Sequence, residues 1–150
     1  MRRFKRIMVA SDLLTVSRGA FNTAIEFAKS RGAELVLVHV IAPISPLVPE
    51  QFIQPGILEI IELDARKWAE KQLARLAAAA GKSGVRVKVL LLSGEPADQI
   101  IRAARTQRAD LIVVGTHGRR GFSQVMLGSV AERVLRTARC PVVTVRSQRT

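Results

Sequence analysis

The chain of 150 residues contains no tyrosine, and phenylalanine and tryptophan bring its aromatics to only 4%. Stacking platforms for single-stranded nucleic acid are therefore poorly supplied. A single cysteine, Cys140, excludes an internal disulfide and suits a reducing compartment, which places the chain in the cytoplasm. Long apolar runs are missing too. None approaches the ~18–20 residues that a membrane span needs. The basic start, Met1 to Arg6, is followed by an apolar run of only Ile7 to Ala10 before Ser11-Asp12, too short for a secretory signal. Two histidines and one cysteine make no zinc constellation. Neither standard phosphate motif, GxGxxG or GxxxxGK[ST], occurs.

What is abundant is positive charge. Lysine and arginine number 24 against 12 acids, a formal charge of +12. This favours anionic partners such as a nucleotide, nucleic acid or an acidic surface. The basic residues are scattered, however, with no run longer than two. A generally basic surface without a nucleic-acid module is the reading this supports, and a basic module binding nucleic acid or an acidic partner without nucleotide rests on charge alone. A hydrophobic fraction of 48% argues against disorder, and the length fits one domain, residues 1–150.

Apolar patterning alternates between strand and helix five times. Phe4 to Ala10 predicts a first strand and Ser17 to Arg31 a helix closed by Gly32. Leu35 to Ile41 has the near-continuous apolar character of a strand buried on both faces. Residues 42–56, with four of the six prolines, predict a loop. A long helix follows over Ile57 to Ala80, with Leu58, Ile61, Ala65, Trp68, Leu73, Leu76 and Ala80 facing inward. Val85–Leu92, Pro96–Arg108, Leu111–Gly115, Gly128–Ala138 and Val142–Val145 continue the alternation. The pattern implies an α/β fold, a parallel sheet with helices on both faces.

In such sheets ligands bind beyond the carboxyl ends of the strands, where strand order reverses. If the order is 3-2-1-4-5, that point lies between strands 1 and 4, at Ser11-Asp12 and Gly115-Thr116-His117-Gly118. Four of the ten glycines fall within residues 113–135. Gly115 and Gly118 would let a ribose or phosphate approach the main chain, and Arg119 and Arg120 would add charge at the rim. Ser129 and Glu132 have the spacing of a capping box at a helix start that suits phosphate. Spacing by itself leaves a plain turn and a nucleotide site equally open. His39 fits a packed core histidine, His117 a phosphate contact, and Cys140 a buried structural thiol.

The spacing Gly115-x2-Gly118-x9-Gly128-Ser129 resembles the G-2x-G-9x-G-[ST] signature of the ATP-binding universal stress proteins. "DLIVVGTHGRRG", "LGSVAERVLRTARCPVVTVR", Asp12, "LVLVHVIAP" and "GEPADQII" are similar as well, so the likeness covers essentially the whole chain. It implies a three-layer, open, Rossmann-like parallel sheet of five strands in the order 3-2-1-4-5. It implies ATP, with adenine against Ala10, Ser11, Asp12 and Val40, and ribose near Asp12 and Gly115. The phosphates would lie along His117, Gly118, Gly128, Ser129 and Val130, with Arg119 beside them. Asp12 would meet Mg2+ only indirectly, through the nucleotide. One departure stands out: Leu13-Leu14-Thr15 follows Asp12 where the family often has D-[GF]-S.

The resemblance also implies a nucleotide-dependent stress-response dimer joined through strand 5, with a regulatory protein partner. Strand 5 is uncharged from Val142 to Val145, whereas Arg86 and Lys88 guard strand 3, the other edge. An enzyme reading, slow ATP hydrolysis or nucleotidyl transfer, competes. It finds only Asp12 as a pocket carboxylate, where phosphoryl transfer needs positioned metal ligands.

Overall fold

A computed structural model describes residues 3–14, 17–44, 48–116 and 128–146. In chain order the elements are β1 (Arg6–Ala10), α1 (Arg18–Arg31), β2 (Glu34–Ile41), α2 (Ile57–Lys82), β3 (Val87–Ser93), α3 (Pro96–Thr106), β4 (Leu111–Gly115), α4 (Ser129–Thr137) and β5 (Val142–Val145). A short 3-10 turn over Glu50–Phe52 interrupts the proline-rich loop. The strands form one parallel sheet in the order β3-β2-β1-β4-β5.

Alternation along the central strands assigns each side chain to one of two cores. Ile7, Val9, Leu35, Leu37, Leu111 and Val113 meet Ala20, Phe21, Ala24 and Ala28 of α1 and Leu73 and Ala80 of α2. Met8, Val36, Val38, Ile112 and Val114 meet the buried residues of α3, with Ala131 and Val134 of α4. Consecutive residues of β1, β2 and β4 thus serve opposite layers, which explains why these strands read as unbroken apolar runs. The small residues of α1 let that helix lie close to the sheet. Gly32 then ends it at φ 61°, its N–H reaching Ala28 and Lys29 carbonyls, a left-handed turn that favours glycine.

Several boundaries differ from the sequence expectation. β1 begins at Arg6: Phe4 lies outside the ladder, packs against the core and carries the Arg31 guanidinium 5.5 Å from its ring centre. β3 begins at Val87, so Arg86 precedes the edge strand while Lys88 stands on it. The larger correction concerns α2. Ile61 and Trp68, expected inside, are exposed, and Ala69 is buried with Leu73 and Ala80. The first half of this 26-residue helix has an apolar stripe that its own sheet does not cover. Periodicity reports a stripe but not what lies against it.

This division gives a direct test. Leu73 is 1% exposed and Trp68 46%. Leu73→Ala should lower unfolding free energy by about 2–5 kcal/mol, and Trp68→Ala by less than about 1 kcal/mol. Urea denaturation of the two variants reads the difference, and equal losses would contradict the assigned packing.

Candidate functional site

At the end of β1 the chain leaves the sheet through a tightly bonded turn. The Ser11 N–H donates to the Val38 carbonyl at 2.9 Å, continuing the ladder by one residue. The Ser17 hydroxyl donates to the Leu14 carbonyl at 2.9 Å and so accepts, at 3.0 Å, the proton of the Ser11 hydroxyl. Ser11 Oγ in turn accepts from the Leu13 N–H at 3.0 Å. The buried Ser11 side chain is therefore engaged in shaping the turn, and what it can offer outward is main chain. His39 reinforces this, with Nδ1 2.7 Å from the Ser11 carbonyl. Because a carbonyl only accepts, Nδ1 carries the proton. His39 is half-buried rather than a core histidine, and it ties β2 to the loop after β1.

Asp12 is exposed and does not cap α1, whose first turn has no side-chain cap. Its Oδ1 accepts the Leu14 N–H at 2.8 Å, closing an Asx turn, and no other hydrogen bond or ion pair engages this carboxylate among the described residues. Between them, Leu13 adopts φ 65°, the left-handed conformation a glycine takes readily. Its side chain packs on the α1/α2 core, which offsets the strain. The departure from D-[GF]-S thus sits in a turn whose side chain points into protein.

At the end of β4, Gly115 pairs with Val145, and a Cβ built on it would meet only the Val145 carbonyl oxygen, at 4.0 Å. Among the described residues no group accounts for a glycine there. Thr116 follows. Its N–H donates to the Val145 carbonyl at 3.0 Å and its carbonyl accepts the Gly128 N–H at 2.7 Å. Thr116 is 7% exposed, yet its hydroxyl has no hydrogen-bond partner among the described residues. Buried hydroxyls are ordinarily satisfied, so this one marks a place for a further polar group. Sequence reasoning did not single out Thr116, although a polar residue directly after a buried strand was visible.

Gly128, not Ser129, is the cap residue of α4, and the expected capping box does not form. The bond from Gly128 to Thr116 fixes the chain one residue earlier, and the Glu132 side chain turns instead to Arg136 at 2.7 Å. Among the described residues the start of α4 is left with main-chain N–H groups and no side-chain acceptor. α3 differs: the Glu95 carboxylate accepts from the N–H groups of Ala97 at 3.3 Å and Asp98 at 2.8 Å. Arg133 of α4 pairs with both Glu95 (2.9 Å) and Asp98, clamping the two helices together.

Ala10, Val40 and Val130 all pack, partly buried, against the α3/α4 core around Val114. The structure therefore brings together Ala10, Ser11, Asp12, Val40, Gly115, Gly128, Ser129 and Val130 at the carboxyl end of the sheet, as their elements meet there. His117, Gly118, Arg119 and Arg120 lie outside the described residues. Cys140 is half-buried against the same core rather than fully enclosed. A separate open cavity of about 580 Å3 lies beyond the ends of β2 and β3, between the proline-rich loop and the first half of α2. Among the described residues no helix is long and apolar enough to cross a membrane, and no three His, Cys, Asp or Glu residues gather as metal ligands.

The Asp98 N–H bond chiefly holds the Glu95 carboxyl below its usual range, with Ala97 and Arg133 adding and burial opposing. A lowered folded-state pKa stabilises above the unfolded pKa, and the contribution is lost as pH falls through the folded value. Glu95→Gln should therefore be less stable than wild type at neutral pH, by no more than about 1 kcal/mol at this exposed position. The gap should close in acid. Thermal melts across a pH series check this, and a gap independent of pH would contradict it.

Residues 3–146 match the Universal stress protein family. A universal stress protein of Methanocaldococcus jannaschii is 36% identical over 145 residues, spanning 95% of this chain and 82% of that protein. A universal stress protein from Archaeoglobus fulgidus, solved in complex with dAMP, superposes with a TM-score of 0.66 at 26% identity, covering 95% of this chain and 98% of that one. Another, solved in complex with cAMP, superposes with a TM-score of 0.71 at 22% identity, covering 98% and 100%. With its five-stranded order and this match along nearly its whole length, the chain belongs to the universal stress protein family.

Proposed function

We propose that this chain binds an adenine nucleotide, ATP, in the crevice between β1 and β4, as the ligand of a cytoplasmic stress-response dimer. The observation that carries the reading is the combination at Gly115-Thr116 among the described residues: open space where a side chain would stand, beside a buried hydroxyl without a partner. The relatives solved with dAMP and cAMP support the same ligand class. Adenine would rest on Ala10 and Val40, the apolar pair on one core face, accept a hydrogen bond from the Asp12 main-chain N–H and donate one to the Ser11 carbonyl. Ribose would lie over Gly115 near Asp12. The phosphates would meet the uncapped amides of Ser129 and Val130 at the α4 start, with Gly128, His117, Gly118 and the Arg119-Arg120 pair completing the site. Any Mg2+ would arrive with the phosphates and meet the Asp12 carboxylate.

Filling the space at Gly115 tests this. Gly115→Val should lower ATP affinity at least ten-fold, more than about 1.4 kcal/mol, while the far-ultraviolet spectrum stays unchanged. Replacing Arg119 and Arg120 by alanine should cost about ten-fold for ATP and less for AMP, which lacks the outer phosphates. Calorimetric titration of the folded variants decides, and unchanged ATP affinity in Gly115→Val removes the site from this crevice.

The dimer is proposed through β5. This strand is bonded to β4 on one side only, and Lys88 marks the opposite edge of the sheet. Ile112 and Thr116 donate to the carbonyls of Pro141 and Val145, so the parallel alternation turns the N–H of exposed Thr144 away from β4. Thr144→Pro removes that outward donor and should convert the dimer to monomer in sedimentation. A wild type that is already monomeric at micromolar concentration would overturn the proposal.

A further inference from the structure

Thr116 is fixed by its main chain while its hydroxyl remains unengaged among the described residues. Its N–H donates to the Val145 carbonyl at 3.0 Å, as the Ile112 N–H does to Pro141, so Thr116 prolongs the β4 ladder by one residue. Alternation along β4 sends Ile112 and Val114 to the α3/α4 layer, and Thr116 follows them at the same period. Ala10, Val40 and Val130 pack on that layer too. The Thr116 carbonyl accepts the Gly128 N–H at 2.7 Å, which pins the residue to the cap of α4. Both main-chain groups are thus committed, and a residue only 7% exposed cannot turn its hydroxyl to bulk water.

A buried hydroxyl without a partner lowers stability until something supplies one. Next to it in the chain's path stands the start of α4, where the amides of Ser129 and Val130 have no side-chain acceptor among the described residues. A hydroxyl can donate or accept, but amides only donate. A group that satisfies both must therefore be an acceptor with several lone pairs, an oxyanion. Chain order selects which oxyanion of a nucleotide this is. Thr116 follows Gly115, the surface proposed for the ribose, and is bonded to Gly128, where the phosphate contacts of α4 begin. Between ribose and outer phosphates a nucleoside 5′-phosphate carries its first phosphate. We propose that the Thr116 hydroxyl donates to the α-phosphate, the phosphate that AMP, ADP and ATP share. The assignment rests on the nucleotide reading of this crevice. It makes the crevice a site for adenosine 5′-phosphates of any length, binds unphosphorylated adenosine only weakly, and leaves the choice among the phosphates to residues further out, such as Arg119 and Arg120.

Thr116→Val keeps the branched shape and removes the hydroxyl. It should lower affinity for AMP, ADP and ATP alike by about ten-fold and leave affinity for adenosine within about two-fold of wild type. Without nucleotide it should melt no lower than wild type, because the lost hydroxyl had no partner among the described residues. Thr116→Ser, which keeps the hydroxyl, should bind AMP several-fold more tightly than Thr116→Val. Calorimetric titration with the four ligands and thermal melts of the ligand-free proteins decide. The proposal is overturned if Thr116→Val binds AMP like wild type, if adenosine loses as much as AMP, or if the loss grows with the number of phosphates. A ligand-free Thr116→Val that melts well below wild type, or a serine variant no better than valine, overturns it too. Loss of affinity in Gly115→Val without loss in Thr116→Val removes only the α-phosphate contact. Full affinity in Gly115→Val, or a wild type that titrates with none of the four ligands, overturns the nucleotide reading and this contact with it.

Discussion

β1 lies at the centre of the sheet with both faces covered, so its main chain can be satisfied only by its neighbours. It is paired to β2 from Arg6 to Ala10 and to β4 from Ile7 to Ala10. That double ladder sets the height at which three chain segments leave the sheet together. Because crossovers run away from β1 in opposite directions, the turn after Ala10 and the turn after Gly115 cannot cover one another. The crevice between them follows from connectivity, and the residues there need only avoid filling it.

The residues at that crevice divide into those that shape it and those that remain unengaged. Ser11, Ser17 and His39 spend their hydrogen bonds holding the loop after β1, and Arg133 spends its own holding α4 against α3. Among the described residues, the Gly115 surface, the Thr116 hydroxyl and the start of α4 are left open. The contrast between α3 and α4 is chemical. The Glu95 carboxylate supplies α3 with the anion that helix starts favour, whereas α4 has none among the described residues. A bound phosphate would do for α4 what Glu95 does for α3.

α2 obeys two constraints in succession. Its second half lies on the sheet and buries Ala69, Leu73 and Ala80. Its first half extends along the proline-rich loop, past the surface that the sheet can cover. The exposed side chains of Ile57, Ile61 and Trp68 there serve no packing against the sheet.

The five strands, the alternation and the positions of Ser11, Asp12 and Gly115 at strand ends were legible in sequence, because burial on both faces and short connections leave an unbroken apolar run followed by turn residues; Ala10 and Val40 came through resemblance. Strand order came through resemblance, since local patterning carries no information about which strands are neighbours. Three matters only tertiary structure decided. Ser129 yielded the cap to Gly128 because Thr116, on another element, accepts the Gly128 N–H. His39, placed in the core by its apolar neighbours, proved half-buried because the Ser11 carbonyl stands within reach of its ring. Ile61 and Trp68 face solvent because the sheet ends before the helix does. A sequence specifies which residues prefer to be buried together, but the reach of each surface, and hence what remains uncovered, is set only when the elements are assembled.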